Sequence, residues 1–369
     1  MRQTFPSFYP FFACTASACS DNCCIGWEID IDSRTAGRYR SLSQSDSPLA
    51  RRLRENICWD FPPHFRLTVG ERCPFLNEQN LCDIYLHLGE DALCEICDQH
   101  PRFHEWFCDY KESGLGLCCE EAARLLLSDP EPLRLQTVTT DEKPDLDLFD
   151  PDLLRELLQL RGQLFSLLQD RSLSLFERFT RLLRLGSLAQ WQLNNSELPF
   201  SLASDSPLPC AGNAEPDAQP LRELLGFLAG LEPIDPQWPA YLQDLSRRLE
   251  ELLAHRQDFL SACISQLYVY EKLCAYTLYR YLHKAVWDGE LVSRVKFAVC
   301  FALLALLQDL DTFSQTGALP LRDQILHTKA ISKELDYSEE NLDSFCDQSW
   351  KSPSLSCEGF CSMISLLLG

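Results

Sequence analysis

The sequence predicts a mainly α-helical protein whose front third is a cysteine-rich metal- or cluster-binding region of short irregular elements, followed by a helical C-terminal domain. Three observations predict it. Twelve of the 19 cysteines lie in the first 119 residues. Behind Asp150-Pro151, a good N-cap and first-turn pair, Leu153, Leu154, Leu157, Leu158 and Leu164 fall at helical spacings. Few runs in that second section alternate with period two, the signature of a half-buried strand.

Taken in order, residues 1–127 form the cysteine-rich domain, which "EEAARLLL" (120–127) closes as a helix. Residues 128–150 are rich in proline and acid and read as a linker or an extended crossing segment. The helical domain occupies 151–369. Within it, five prolines mark 194–220 as a surface loop, and Asp235-Pro236 repeats the cap signal. From there a long helical stretch, with one or two breaks, runs to about Trp287, and a further apolar helix covers about 291–309. No internal repeat is visible.

With 369 residues, 46% hydrophobic and 24% charged, the chain has the composition of a globular protein with a sizeable core. Its formal charge of −21 argues against nucleic acid as a partner, because phosphate binding needs clustered Lys and Arg. It is compatible with a lysine-bearing protein substrate. The first twenty residues hold an early Arg and an "ASA" step before Cys19, but two prolines interrupt them and no aliphatic run forms. A signal peptide is a poor fit, and a cytoplasmic location is expected. The longest apolar run, "FAVCFALLALL" (297–307), falls short of the ~20 residues that span a bilayer, so no transmembrane segment is expected. Peripheral membrane association and the oligomeric state are left open by the sequence.

The N-terminal cysteines fall into three groups: Cys14, Cys19, Cys23 and Cys24; Cys73, Cys82, Cys94 and Cys97; and Cys118 with Cys119. Cys58 and Cys108 stand alone. A disulfide framework suits a small secreted domain, not one end of a long cytoplasmic chain. The C-x2-C step of "LCEICDQHPRF" is the most specific piece, since two intervening residues let both sulfurs converge on one ion or cluster. Ligand type leaves zinc and iron–sulfur both open. Adjacent Cys23 and Cys24 project differently, so one faces the metal while the other supports a second ligand set or the core. The C-x3-C-x2-C loop of radical enzymes that cleave S-adenosylmethionine is missing, because Gly26 takes the third position. Trp27 and Phe75 flank the groups and would exclude solvent, and Arg72 and Arg102 would offset thiolate charge. His100 and His104 follow the C-x2-C step; metal ligation is one reading, and the favoured one is a hydrogen-bonded residue at the surface or beside the ligands. Cys210, Cys263, Cys274, Cys300, Cys346, Cys357 and Cys361 carry no spacing signal and are assigned to the core. No G-x-G-x-x-G turn after a strand, P-loop, H-E-x-x-H or G-x-S-x-G motif is present.

In "SQLYVYEKLCAYTLYRYLHKAVW", Tyr268, Tyr276, Tyr279 and His283 share one helix face, and Tyr270, Cys274 and Tyr281 the opposite one. An aromatic pocket for a cofactor ring or an alkylammonium is one reading. The favoured one is a central helix touching neighbours on both sides, its hydroxyls finding partners.

At these residues the chain resembles the bacterial flagellin lysine-N-methylases. The likeness runs through "FACTASACSDNCCIGWEIDID" (12–32), "CPFLNEQNLCDIYLHLGEDALCEICDQHPRF" (73–103) and "CCEEAARLL" (118–126), and continues more weakly in "YEKLCAYTLYRYL" and "AISKELDYSEENLDSF". A broader group of proposed zinc- or iron-chelating proteins shares the cysteine module, so a non-catalytic metal-binding or metal-trafficking protein is the alternative. The resemblance implies a methyltransferase that moves a methyl group from S-adenosylmethionine to lysine ε-amines of flagellin. It further implies a [4Fe-4S] cluster, with zinc as the alternative metal. Carried over residue by residue, Cys14, Cys19, Cys23, Cys24, Cys73, Cys82, Cys94, Cys97 and Cys119 match the motif, while Cys58, Cys108 and Cys118 are additional. Glu120 replaces the family's usual proline. A protonated lysine cannot attack a methyl sulfonium, so a desolvated pocket or a general base is needed. Tyr85, His100 and Glu121 lie close in sequence to the ligands and are the candidates. No S-adenosylmethionine-binding residue is assigned.

Overall fold

The computed structural model describes residues 1–144, 149–202 and 216–369. Residues 203–215 of the expected 194–220 loop, including Cys210, lie outside the described residues.

The helical expectation holds after residue 150, and local sequence explains where helices begin. Asp150 accepts the backbone N–H groups of Asp152 and Leu153 and starts Pro151–Leu168. Ser174 and Glu177 form a reciprocal capping box at the head of Leu175–Asn194. The stretch from Asp235 breaks more often than periodicity suggests, into Trp238–Arg247, Leu249–Ala254, Arg256–Ala262, Tyr268–Tyr281 and Ala285–Asp288. The apolar helix expected over 291–309 extends to Leu291–Thr316 and stops at Gly317, whose φ of 72° few other residues adopt. By length and composition this helix could cross a membrane, but its whole apolar window is buried inside the fold. It packs against Leu175–Asn194, Tyr268–Tyr281, Leu321–Leu335 and Glu339–Lys351 as a core helix does.

The front third departs from the expectation of irregular elements. Strands Arg102–Phe107, Tyr110–Leu115, Arg2–Pro6 and Leu135–Thr139 form, in that order, a four-stranded sheet. Arg2–Pro6 runs parallel to Tyr110–Leu115 and antiparallel to Leu135–Thr139, so part of the proline- and acid-rich 128–150 segment is an edge strand. The pattern hides because Tyr110–Leu115 is buried throughout, including its charged residues. Glu112, fully buried, takes a two-pronged ion pair from Arg161, and Lys111 pairs with Glu142 at 2.9 Å. Gly114 is required by close approach: a Cβ there would come within 2.4 Å of the Phe103 ring and 2.9 Å of the Tyr276 hydroxyl.

The tyrosine-rich helix has neighbours on both sides. On one face Tyr276 accepts Leu115 N–H at 2.7 Å and donates to its carbonyl, and Tyr279 donates to Ser113 at 2.8 Å. On the other, Tyr270 donates to Asp309 at 2.7 Å and Tyr281 to the Asp336 carbonyl. These hydroxyls are structural, as the core reading expects.

Side-chain packing divides the molecule near residue 100. Ile29, Tyr39, Leu53, Phe65, Phe75 and Ile84 make a small separate core in the cysteine-bearing segment. Phe107, Leu126 and the helices share one large core that runs to Leu367.

Candidate metal centre

Four short segments bring thiols together, and backbone hydrogen bonds fix their register. Asn22 accepts Cys24 N–H at 2.9 Å, and Cys24 accepts Cys73 N–H at 2.8 Å, tying the first cysteine loop to the second. Gly26, at φ 95°, lets the chain turn there and donates to Glu71. Cys82 and Cys94 occupy the N-cap positions of Asp83–Leu88 and Glu95–Gln99, both with extended backbone. Cys97 follows one turn after Cys94 and donates its N–H to the Cys94 carbonyl at 2.9 Å.

The sulfurs form two sets. The first is Cys24, Cys73, Cys82, Cys94 and Cys97. Burial and the Cys82 and Cys94 charges push the Cys73 thiol up to about 11, against backbone N–H from Phe75 and the Arg52 cation. Burial likewise raises Cys82, although backbone N–H groups of Tyr85 and Ile84 aim at its sulfur. A hydrogen bond from Cys97 holds Cys94 down against burial, helped by the Tyr39 hydroxyl 3.7 Å away, and the proton left on Cys97 is held firmly. The second set is Cys19, Cys23, Cys118 and Cys119. Burial and the charges of Cys19 and Cys23 raise Cys119 to about 11, against backbone N–H from Ala122 and Glu121. The sets meet at Cys23 and Cys24, whose thiols share one hydrogen bond: it lowers Cys23 and raises Cys24. Thiols packed this closely resist ionising together, the electrostatic condition a bound cation relieves.

Beside this junction lies an aromatic face. Trp27 stacks on Tyr337 with ring centroids 4.4 Å apart, and His100 lies 6.0 Å from Trp27 and 6.4 Å from Tyr337. The Trp27 indole donates to the Cys23 carbonyl at 2.6 Å. Cys23 is exposed and Tyr337 is 36% exposed, so the face meets solvent. Burial and the Cys118 and Cys23 thiols push the Tyr337 phenol up to about 12, and burial alone lowers His100 to about 4. Both rings are therefore neutral near pH 7. Lys333 places its ammonium 5.2 Å from the Trp27 ring, and Lys329 and Lys333 clamp Asp21 at 3.0 and 3.4 Å.

Of the three acid–base candidates, His100 alone is brought to this face. Tyr85 stands at the surface, 50% exposed, and Glu121 makes a double-pronged ion pair with Arg124 at 2.6 and 2.7 Å. Among the nine motif cysteines, Cys14 is exposed and its sulfur accepts Ala16 N–H; the other eight belong to the two sets. Cys118, additional to the motif, joins the second set, whereas Cys58 donates to Asp60 and Cys108 occupies an exposed hairpin turn at φ 52°. The expected counter-charges are spent elsewhere: Arg72 on Asn77 and Asn80, Arg102 over Phe12. Arg52, Lys329, Lys333 and Arg280 take that role for Cys73, Cys19, Cys23 and Cys118. Three of these come from beyond residue 279, and nothing in the spacing of the cysteines announces them. Glu120, at the proline position of the family, accepts from Ser20 N–H at 3.0 Å and from the Cys19 thiol at 3.8 Å.

The molecule is thus a thiol-rich module packed against a helical domain, with an aromatic face where the two meet. The particular family follows from comparison: the FliB lysine N-methylase C-terminal domain matches residues 161–363, more than half of the chain, and the chain belongs to that family. It is 33% identical over 141 residues to the flagellar biosynthetic protein FliU of Salmonella muenchen, covering 36% of this chain and 80% of that one. It is 32% identical over 145 residues to the lysine-N-methylases of Salmonella choleraesuis and Salmonella typhimurium, covering 37% of this chain but 35% of either relative. No solved structure matches the chain. Lys329, Lys333 and Tyr337 lie inside the matched domain; the twelve N-terminal cysteines precede it.

Proposed function

We propose that the chain is a lysine methyltransferase that uses S-adenosylmethionine, acts on flagellin, and depends on a cysteine-held [4Fe-4S] cluster. The observation that carries this reading is the junction itself. The thiol sets meet at Cys23–Cys24 beneath an aromatic face built half from the module (Trp27, His100) and half from the matched domain (Tyr337). A metal carrier needs the thiols but not the aromatic face.

Five soft donors, two buried and three half-buried, suit an iron–sulfur cluster. Four of Cys24, Cys73, Cys82, Cys94 and Cys97 would hold it, with Phe75 and Ala92 buried around them. Among the described residues, no three cysteine sulfurs lie within 4.8 Å of one another; the one such trio of ligand atoms is Glu28, Asp30 and His64. Thiolate donors accept zinc as well as a cluster, so iron and sulfide analysis decides between them. When bound, a cluster supplies electron transfer and a large local charge.

The chain's own residues prepare the lysine. Tyr337, stacked on Trp27 and 36% exposed, would offer its outer ring face to a lysine ammonium or a sulfonium. Because His100 and Tyr337 are neutral, neither stabilises the ammonium as an anion would. The nearby Lys333 cation and partial removal from water would favour the neutral amine, whose proton passes to bulk solvent through the exposed side of this face. The free amine then attacks the methyl carbon of the sulfonium; the N–C bond forms as the C–S bond breaks, and the electron pair stays on sulfur.

The test is anaerobic purification with iron and sulfide analysis, followed by methyl transfer to flagellin from labelled S-adenosylmethionine. Iron and sulfide in equal amounts with labelled lysine are expected. Zinc alone, with no transfer, would overturn the reading.

A further inference from the structure

A cavity of about 520 Å³ opens where the cysteine module meets the sheet. Asp30, Asp32 and Glu95 supply carboxylates to its lining, and Phe61, Ile96 and Trp106 supply apolar surface. Both kinds of surface are accessible: Asp30 is exposed, Phe61 is 96% exposed, and Trp106 is 38% exposed. Asp32 is partly committed, since it caps Ser33–Leu42 through Thr35 N–H and accepts Glu95 N–H at 3.0 Å. Asp30 extends the negative character outward, its carboxylate lying within 4.8 Å of Glu28 and His64. The nearest cation on the Trp106 ring, Lys111, is already neutralised by Glu142.

From this lining we infer that the cavity docks a lysine- or arginine-bearing, locally apolar segment of the protein substrate. A long basic side chain would lay its methylenes on Phe61 and Trp106 and its charge among the carboxylates. The volume suits one or two side chains of an extended segment. The docked residue is not the one methylated: three carboxylates stabilise a charged ammonium, the opposite of what transfer requires. The cavity and the thiols are nevertheless linked. Glu95, Ile96 and Gln99 of one short helix line the cavity, while Cys97 of the same helix and Cys94 at its N-cap belong to the first thiol set. The identity of the partner rests on the methyltransferase reading; the chemistry of the cavity does not.

The experiment uses the whole chain and two synthetic peptides, one with Lys between leucines and one with norleucine in place of Lys. The basic peptide should shift tryptophan emission saturably, more weakly as salt rises, and the Trp106→Phe variant should lose that shift. Asp30→Lys should weaken binding roughly tenfold, and Phe61→Ala should weaken it independently. Glu95 is left intact because its helix carries Cys97. Toward flagellin, Asp30→Lys should raise KM with kcat within twofold. Equal binding of the norleucine peptide, or unchanged affinity in both variants, would overturn the inference. Docking lost in the variants of a chain that transfers no methyl group would keep the inference and sink the function. Methyl transfer with an unchanged KM in both variants would do the reverse.

Discussion

In the helical domain, Phe179, Tyr270, Phe297, Phe301 and Phe345 are sealed on all sides within one core that continues into the sheet. In the cysteine module the largest sealed side chains are Tyr39 and Phe75, helices are five to ten residues long, and Cys73 and Cys94 are buried within its small apolar core. The first region owes its order to buried apolar area. The second buries too little to rest on packing alone, and its thiols resist ionising together. On the proposed cluster reading, the module would draw part of its folding free energy from the bound group. The contrast sets a scaffold ordered by apolar burial beside a module whose order, under the proposed function, depends on its ligand.

The strongest way to break this contrast is to remove the ligands. Cys94→Ala with Cys97→Ala should abolish iron binding and reduce methyl transfer more than 100-fold, while circular dichroism keeps nearly all the helical signal. Loss of the helical signal as well would show that the two regions share one stability. A core truncation should do the opposite. Phe301→Ala should cost about 3–5 kcal/mol in urea unfolding of the helical domain, with the metal content of the surviving folded fraction unchanged.

Acid should act on the helical side. His283 is buried against Glu112 and Arg161, and burial lowers it to about 4 despite the carboxylate 3.3 Å away. The unfolded chain, with an ordinary histidine near 6.5, therefore takes up a proton that the folded chain refuses. The His283 contribution is complete above pH 6.5 and is lost as pH falls toward 4, by roughly 3 kcal/mol. Glu112, held below the usual carboxylate range by Arg161 and His283 against its burial, adds its own loss at the acid end of that window. Chemical denaturation between pH 7 and 4.5 should show the decline, and His283→Gln should flatten it. The smallest effect concerns the clamp between the regions. Asp21→Asn weakens half-buried ion pairs to Lys329 and Lys333 and should cost about 1 kcal/mol. It should also increase protease nicking near residues 14–27 without changing the midpoint of helical unfolding.

Much of this was legible in the sequence, for local reasons. Asp150-Pro151 announces its helix because an N-cap is a matter of three residues, and the tyrosine faces of Tyr268–Tyr281 follow from a fixed 100° step. The sheet was not legible. Arg2–Pro6 pairs with strands more than 100 residues away, and its central neighbour hides Lys111 and Glu112 behind partners from distant segments. Composition changes at residue 127, whereas packing changes near residue 100, because the hairpin 102–115 joins the large core.

By itself the sequence determined which residue types were available to the centre: grouped thiols, a C-x2-C step and an adjacent cysteine pair. Only the tertiary structure decided how they divide. It split Cys23 from Cys24, admitted Cys118, kept Cys14 at the surface and brought Tyr337, Lys329 and Lys333 from across the chain. The reason is physical: spacing fixes which neighbouring sulfurs reach one point, but charge compensation and stacking are set by whatever distant surface the fold presses against them.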